Sequence, residues 1–329
     1  MVGVLGCGSF GFTVASLLAK NSEVLIYCRN QEKAQKFNQG NEHLGYPIPE
    51  GIRATSNLAE VGASCDVIFP VIPSEFFRSL MKEMRPYLSP KHILIHATKG
   101  LDITRREHEF QSFSDLIHTM SQIVLQETDV VRVGCMAGPN LAREILEGQA
   151  AAAVIASEFY EVIDTGKKLL SSDQFYAFAS TDLIGTEICS SYKNIIALAA
   201  GIIDGHEYGQ NMQAILITRG LNEMMTLGKA IGAKDSTFLG PAGIGDLVAT
   251  STSHKSRNFS FGRRLAQGES MESIIQSSEV VEGVRTLNII YELSNEMNLA
   301  MPLTNVIYRI VFGHIDLDGA VKMLMKLKS

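Results

Sequence analysis

Val2-Gly3-Val4-Leu5-Gly6-Cys7-Gly8-Ser9-Phe10-Gly11 stands at the head of the chain. Val2–Leu5 reads as a short buried strand, the glycines as a turn, and Thr13–Ala19 as part of the helix that follows. A second apolar run, Val24–Tyr27, completes a strand–turn–helix–strand unit. In that setting the Gly-x-Gly-x-x-Gly spacing acquires physical meaning. Gly6 makes the tight turn, Gly8 lets backbone approach a pyrophosphate, and Gly11 allows close helix–strand packing, with the helix N-terminus facing the anion. A structural turn, or a site for another phosphate ligand, is the competing reading of the same glycines.

Outward from this unit, strands are expected at Val67–Val71, Ile93–Ala97, Val131–Gly134, Ala151–Ala156 and Phe175–Ala179. The mixed segments between them suit crossover helices, so residues 1–180 read as an α/β domain with a parallel-core sheet. Beyond about residue 180 the period changes. Leu183–Ile203, Met212–Ile231, Val284–Met297, Thr304–Phe312 and a terminal Val321–Leu327 carry helical spacing, which makes 181–329 an all-α domain. Thr181 or Asp182 can cap its first long helix. A cleft between two such domains is a common ligand position.

Composition narrows the function. The 329 residues are 46% hydrophobic and 19% charged, enough for ordered cores and inconsistent with a disordered or collagen-like chain. With 29 basic against 35 acidic residues the net charge is −6, and no long basic block marks a nucleic-acid surface. Small molecules are therefore the expected partners. The five cysteines lack the close pairs of a zinc site, and none of the eight histidines, His96 and His206 included, has a spacing that forces a metal ligand. No secretory leader is expected ahead of Val2, and no apolar run reaches the roughly 20 residues of a membrane span. Cytoplasm is the expected location, without stable membrane insertion.

Several polar residues carry candidate chemistry. Where an NAD site often places Asp or Glu after the second strand, Ile26-Tyr27-Cys28-Arg29-Asn30 offers arginine. Arg29 can pair with a 2′-phosphate or stack beside adenine, or it can simply face solvent while Asn30 makes the loop. Lys99, in Ala97-Thr98-Lys99-Gly100, can hold an anion or lie in a surface loop. Gly138-Pro139-Asn140 follows a strand and precedes a helix start, so Asn140 can meet a ligand or serve as an N-cap.

Lys193 lies in a largely apolar helix, where a lysine either snorkels from the edge or delivers a proton to a carbonyl under reduction. Asp246, the one carboxylate in the Gly-rich stretch Leu239–Leu247, can pair with Lys193 or cap a helix. Ser256-Arg257-Asn258 offers a hydroxyl, a guanidinium and an amide in succession, a set suited to phosphate that also occurs at ordinary helix starts. Met224-Met225 reads as helix packing.

Taken in order, Gly6–Gly11, Ala97–Gly100, Gly138–Glu144, Lys193-Asn194, Ile217–Gly220, Gly240–Leu247, Ser256–Asn258 and Val280–Gly283 run through essentially the whole chain. This ordered set resembles the bacterial-type NAD(P)H-dependent glycerol-3-phosphate dehydrogenases. The resemblance implies a Rossmann-like N-terminal domain, a helical C-terminal domain, and reversible reduction of dihydroxyacetone phosphate to sn-glycerol 3-phosphate with NAD or NADP. On matching positions it implies cofactor contacts from Gly6, Gly8, Ser9, Phe10, Gly11, Arg29, Lys99, Ala142, Arg257, Val280 and Glu282. Substrate contacts are implied for Lys99, Gly138, Asn140, Lys193, Asp246, Ser256, Arg257 and Asn258, with Lys193 the acid/base and Asp246 orienting it. No metal is implied, and a homodimer is compatible with the sequence.

Asn140 departs from the family pattern, in which Ser or Thr usually follows Gly-Pro, and Ser251-Thr252 stands where many relatives have Thr-Cys. A reductase or dehydrogenase of a hydroxy acid, and a nucleotide sensor without turnover, are the other classes that share parts of this plan.

Overall fold

The computed structural model describes residues 1–103, 117–277, 281–296, 298–313, 315–316, 319–320 and 323. Two compact units emerge, Met1–Lys99 with Met120–Leu183, and Gly100–Thr119 with Ile184–Ser329. The strands are β1 (Val2–Leu5), β2 (Val24–Tyr27), β3 (Glu42–His43), β4 (Tyr46–Pro47), β5 (Ile52–Thr55), β6 (Val67–Pro70), β7 (Ile93–His96), β8 (Asp102–Ile103), β9 (Ile117–His118), β10 (Arg132–Ala137), β11 (Ala151–Ser157) and β12 (Phe175–Ser180).

In the first unit eight strands form one sheet in the order β12-β11-β10-β7-β6-β1-β2-β5. The six from β5 to β10 are parallel, β11 runs antiparallel to β10, and β12 follows β11. Leu5 is in register with Tyr27 on one side and Pro70 on the other, so chain order reverses at β1. Ligands of open α/β sheets bind beyond the strand carboxyl ends at such a reversal. β1 and β7 are buried along their whole length, which is why they read as apolar runs instead of alternating patterns. Val4 joins the core of Phe12, Ile26 and Ile155, whereas its neighbour Leu5 joins that of Ile68, Met81 and Ile123. Helices α1 (Ser9–Leu18), α2 (Gln31–Gln39), α3 (Leu58–Ser64), α4 (Phe77–Met84), α5 (Met120–Glu127), α6 (Ala142–Leu146) and α7 (Tyr160–Leu170) complete the unit.

Every strand expected from the apolar runs forms, although in place of Val131–Gly134 the strand is β10, which starts one residue later and runs on to Ala137. β5 was not expected. Its exposed Arg53 breaks the apolar pattern, and the segment becomes a strand through pairing with β2 at the sheet edge, where a polar side chain can face water.

The second unit contains α8 (Leu183–Gly205), α9 (Gln210–Ala230), α10 (Asp235–Phe238), α11 (Asp246–Ser251), α12 (Arg257–Ala266), α13 (Met271–Ser277), α14 (Glu282–Glu296) and α15 (Pro302–Val311), with the β8–β9 pair. α8 is buried on all sides from Ile188 to Ala200, which explains its largely apolar character. It crosses α12 in backbone contact: a Cβ on Gly201 would lie 1.9 Å from the Phe259 carbonyl oxygen. Glu223 of α9 caps α15, accepting from the Thr304 amide at 2.9 Å and hydroxyl at 2.8 Å, and from the Leu303 amide. The Tyr192 hydroxyl donates to it at 2.9 Å. Apart from Met323, the expected Val321–Leu327 helix lies outside the described residues, as does Met297.

Candidate active site

The sheet unit gathers its candidates after the carboxyl ends of β1, β2, β7 and β10. In the first turn the three glycines do different things. Gly6 has φ +122°, and a Cβ there would meet the Val71 carbonyl oxygen at 2.4 Å; one on Gly11 would lie 1.9 Å from the Gly6 oxygen. Gly8 is exposed, with nothing within 4 Å of where its Cβ would stand. It precedes α1, whose first turn has neither a side-chain cap nor an acidic residue. The backbone N–H groups there, which a helix cannot satisfy internally, suit an anion.

Lys99 is half-buried beyond β7. Its ammonium donates to Asn140 Oδ1 at 3.1 Å and lies 4.9 Å from the centre of the Phe10 ring. Gly138 has φ +130° at the end of β10, and Ala142 opens α6. Asn140 is 2% exposed, and its Nδ2 has no hydrogen-bond partner among the described residues. An unmet buried donor costs about 1–3 kcal/mol, which a ligand acceptor would recover. Leu141, not Asn140, occupies the N-cap position of α6, so the capping alternative for Asn140 does not hold. Arg29 is exposed after β2, while Asn30 caps α2 by accepting from the Lys33 amide at 3.0 Å. The open Gly8 backbone, the uncapped α1 start and the unmet Asn140 amide fit a dinucleotide.

In the helical unit the Lys193 ammonium is paired with Asp246 Oδ1, both side chains being 2% exposed. Lys193 also donates to the Thr250 hydroxyl at 3.1 Å, which donates to Asp246 Oδ1 at 3.1 Å. Snorkelling is excluded by this burial. Asp246 and Thr250 share one face of α11 because they stand four residues apart. Thr250 escaped the sequence reading; its i, i+4 relation to the carboxylate was the available signal.

Asn258 and Ser256 have structural duties of their own. Asn258 Nδ2 donates to Asn194 Oδ1 at 2.9 Å and its Oδ1 accepts from the Gly283 amide at 2.9 Å, tying α12 to α8 and α14. Asn194 was noted only as the neighbour of Lys193. Ser256 is the N-cap of α12, accepting from the Phe259 amide at 3.3 Å. Arg257 is exposed at the first position of α12, and Glu282 opens α14. Val280 lies outside the described residues.

Two family models cover nearly the whole chain, the NAD-dependent glycerol-3-phosphate dehydrogenase N-terminus at residues 1–162 and the C-terminus at residues 182–322. The chain belongs to the NAD-dependent glycerol-3-phosphate dehydrogenase family.

Within that family, the glycerol-3-phosphate dehydrogenase [NAD(P)+] of Exiguobacterium sp. is 35% identical over 99% of this chain and 95% of its own. The corresponding enzyme of Saccharophagus degradans is 37% identical, over 98% and 89%. The structure of glycerol-3-phosphate dehydrogenase from Coxiella burnetii aligns with a TM-score of 0.90 at 31% identity, over 99% and 98%. The Rossmann-like sheet and helical domain implied by the resemblance are those of this glycerol-3-phosphate dehydrogenase fold. The family and the sheet together assign a nicotinamide dinucleotide as cofactor. Among the described residues, no helix is long and apolar enough to cross a membrane, and no group of three or more His, Cys, Asp or Glu is placed to hold a metal ion.

Proposed function

We propose that the chain reduces dihydroxyacetone phosphate to sn-glycerol 3-phosphate, and catalyses the reverse, supplying the backbone of phospholipids in the cytoplasm. The observation that carries this reading is the buried Lys193–Asp246 pair in a chain of this family. A bound reduced nicotinamide, from NADH or NADPH, supplies the hydride for the substrate's carbonyl carbon.

Lys193 gives its proton to the carbonyl oxygen, and its ammonium counters the negative charge that develops there. Asp246 pairs with the ammonium and aims it, and Thr250 holds both partners in one orientation. In the reverse direction Lys193 accepts the proton. Lys99, Asn140, Gly138, Ser256, Arg257 and Asn258 are assigned to the phosphate and hydroxyls of the substrate. Asn140 has an unmet amide to offer; the Ser256 hydroxyl has one acceptor bond already in use as a cap. Gly6, Gly8, Ser9, Phe10, Gly11, Arg29, Lys99, Ala142, Arg257, Val280 and Glu282 are assigned to the dinucleotide, with Arg29 the candidate for a 2′-phosphate.

The test is the initial rate of NADH or NADPH oxidation with dihydroxyacetone phosphate. The unmodified protein should turn over and Lys193→Ala should not, while dihydroxyacetone without its phosphate should be a poor substrate. Absence of turnover by folded, dinucleotide-binding protein sinks the proposal. The NADH/NADPH ratio, compared with that of Arg29→Ala, reads the role of Arg29.

A further inference from the structure

The residue between Gly6 and Gly8 is a cysteine, and a second cysteine stands at the end of the adjacent strand. Leu5 and Tyr27 are in register, and the Gly6 amide donates to the Tyr27 carbonyl at 3.1 Å. The two chains therefore leave the sheet side by side, one into Cys7 and the other into Cys28. Cys7 and Cys28 pack into the same apolar cluster on one face of the sheet. Cys7 is half-buried and Cys28 buried, both free thiols. On its other side the Cys7 carbonyl accepts from His43 Nε2 at 2.9 Å, and that ring packs edge-on against Phe12 with centroids 5.1 Å apart. The backbone of Cys7 is thus held beside the end of β2, where Cys28 follows.

We propose that Cys7 and Cys28 form a peroxide-reactive modification site, whose disulfide displaces the first-turn loop from the geometry that admits a dinucleotide. This rests on the reading of that loop as the cofactor site. Hydrogen bonding from Cys28 lowers the pKa of Cys7 to about 7, with the charge of Lys33 adding to the effect. Cys7 consequently carries substantial thiolate near neutrality and is the attacking sulfur.

The chemistry balances with hydrogen peroxide as oxidant. The Cys7 thiolate attacks one peroxide oxygen, the O–O bond breaks, and the departing hydroxide takes a proton to leave as water. This produces the Cys7 sulfenic acid. The Cys28 sulfur then attacks the Cys7 sulfur, the S–O bond breaks, and a second water leaves with the Cys28 proton as the S–S bond forms. Two thiols lose two electrons, and the peroxide is reduced to two waters.

Drawing the two sulfurs to a bond of about 2.05 Å must be absorbed by the loop. Gly6 and Gly11 are already in close backbone contact and offer little slack. The displacement therefore falls on Gly8, where misplacement of about 1 Å is enough to spoil a close approach.

The experiment treats the full chain with hydrogen peroxide, maps disulfides by peptide mass spectrometry, and measures NADH binding by fluorescence before and after dithiothreitol. The expected result is a Cys7–Cys28 linkage, two hydrogens lighter than the reduced pair, with dinucleotide affinity lowered at least about tenfold and restored by reduction. Cys28→Ser and Cys28→Ala should bind NADH normally and instead stop at the Cys7 sulfenic acid, trapped by dimedone. A disulfide elsewhere, oxidation of Cys7 without linkage in the unmodified protein, or linkage with unchanged affinity overturns the proposal. Failure of the reduced protein to bind dinucleotide would instead defeat the cofactor-loop reading, and the peptide map would still report the thiol pair.

Discussion

Lys193 and Asp246, one on α8 and one on α11, meet as an ion pair with both side chains out of solvent. Removing either member strands the other. Asp246→Ala should therefore cost about 3–5 kcal/mol of stability, whereas Lys193→Met combined with Asp246→Leu should recover most of it with no turnover. Urea unfolding of the single and double variants, alongside initial rates, separates stability from chemistry. A double variant no more stable than the singles would contradict the argument.

Thr250 joins that pair through its hydroxyl. Thr250→Val keeps the side-chain shape and removes the hydrogen bonds, so kcat should fall about tenfold with KM nearly unchanged. Thr250→Ser should restore turnover. An equal loss in the serine variant would show that the methyl group, not the hydroxyl, is what matters.

The glycines of the first turn should respond differently to a methyl group. Gly8→Ala should leave stability within about 0.5 kcal/mol, because the added carbon meets open space, yet it should weaken dinucleotide binding. Gly11→Ala should destabilise the fold by about 3 kcal/mol through overlap with the Gly6 carbonyl. Thermal unfolding and NADH fluorescence titration measure the two effects, and equal losses of stability would refute the distinction.

Glu223 accepts the capping hydrogen bonds of α15 in a buried position. Glu223→Gln replaces an acceptor with an amide facing donors and should cost about 2–4 kcal/mol at neutral pH. Burial holds the Glu223 carboxyl above the usual carboxylate range. The folded state therefore keeps this proton to a higher pH than the unfolded chain does. The corresponding contribution to stability is present below the ordinary carboxylate pKa and is lost as pH rises through the folded value. Urea midpoints across acidic and neutral pH should show that slope in the unmodified protein and lose it in the glutamine variant.

Cys7 should react with iodoacetamide at a rate that rises with pH and is half-maximal near its pKa of about 7. Cys65, which burial pushes up to about 11, should stay unreactive at neutral pH. In Cys28→Ala the lost thiol donor should move the Cys7 inflection upward. Peptide-resolved labelling measures each site, and an unmoved inflection would contradict the role of Cys28.

Local order carried much of this protein. Val2–Gly11 alone determined a strand, a glycine turn and a helix, because an apolar run, missing side chains and helical spacing act over a few neighbouring residues. The change of period near residue 180 likewise marked where sheet gives way to helices, and Lys193 stood out as a cation in a largely apolar helix. Tertiary structure decided what distance along the chain conceals. Arg53 lies in a strand because β2 lies beside it, and Asn140 meets Lys99 instead of capping α6. Asn258 bonds Asn194 and Gly283, and Ser256 caps α12, partners that the sequence order alone did not name. Thr250 gained its place only when α11 packed its face toward Lys193. Such partners are chosen by the packing of distant segments, which must satisfy each buried polar group with whatever donor or acceptor the fold brings within reach.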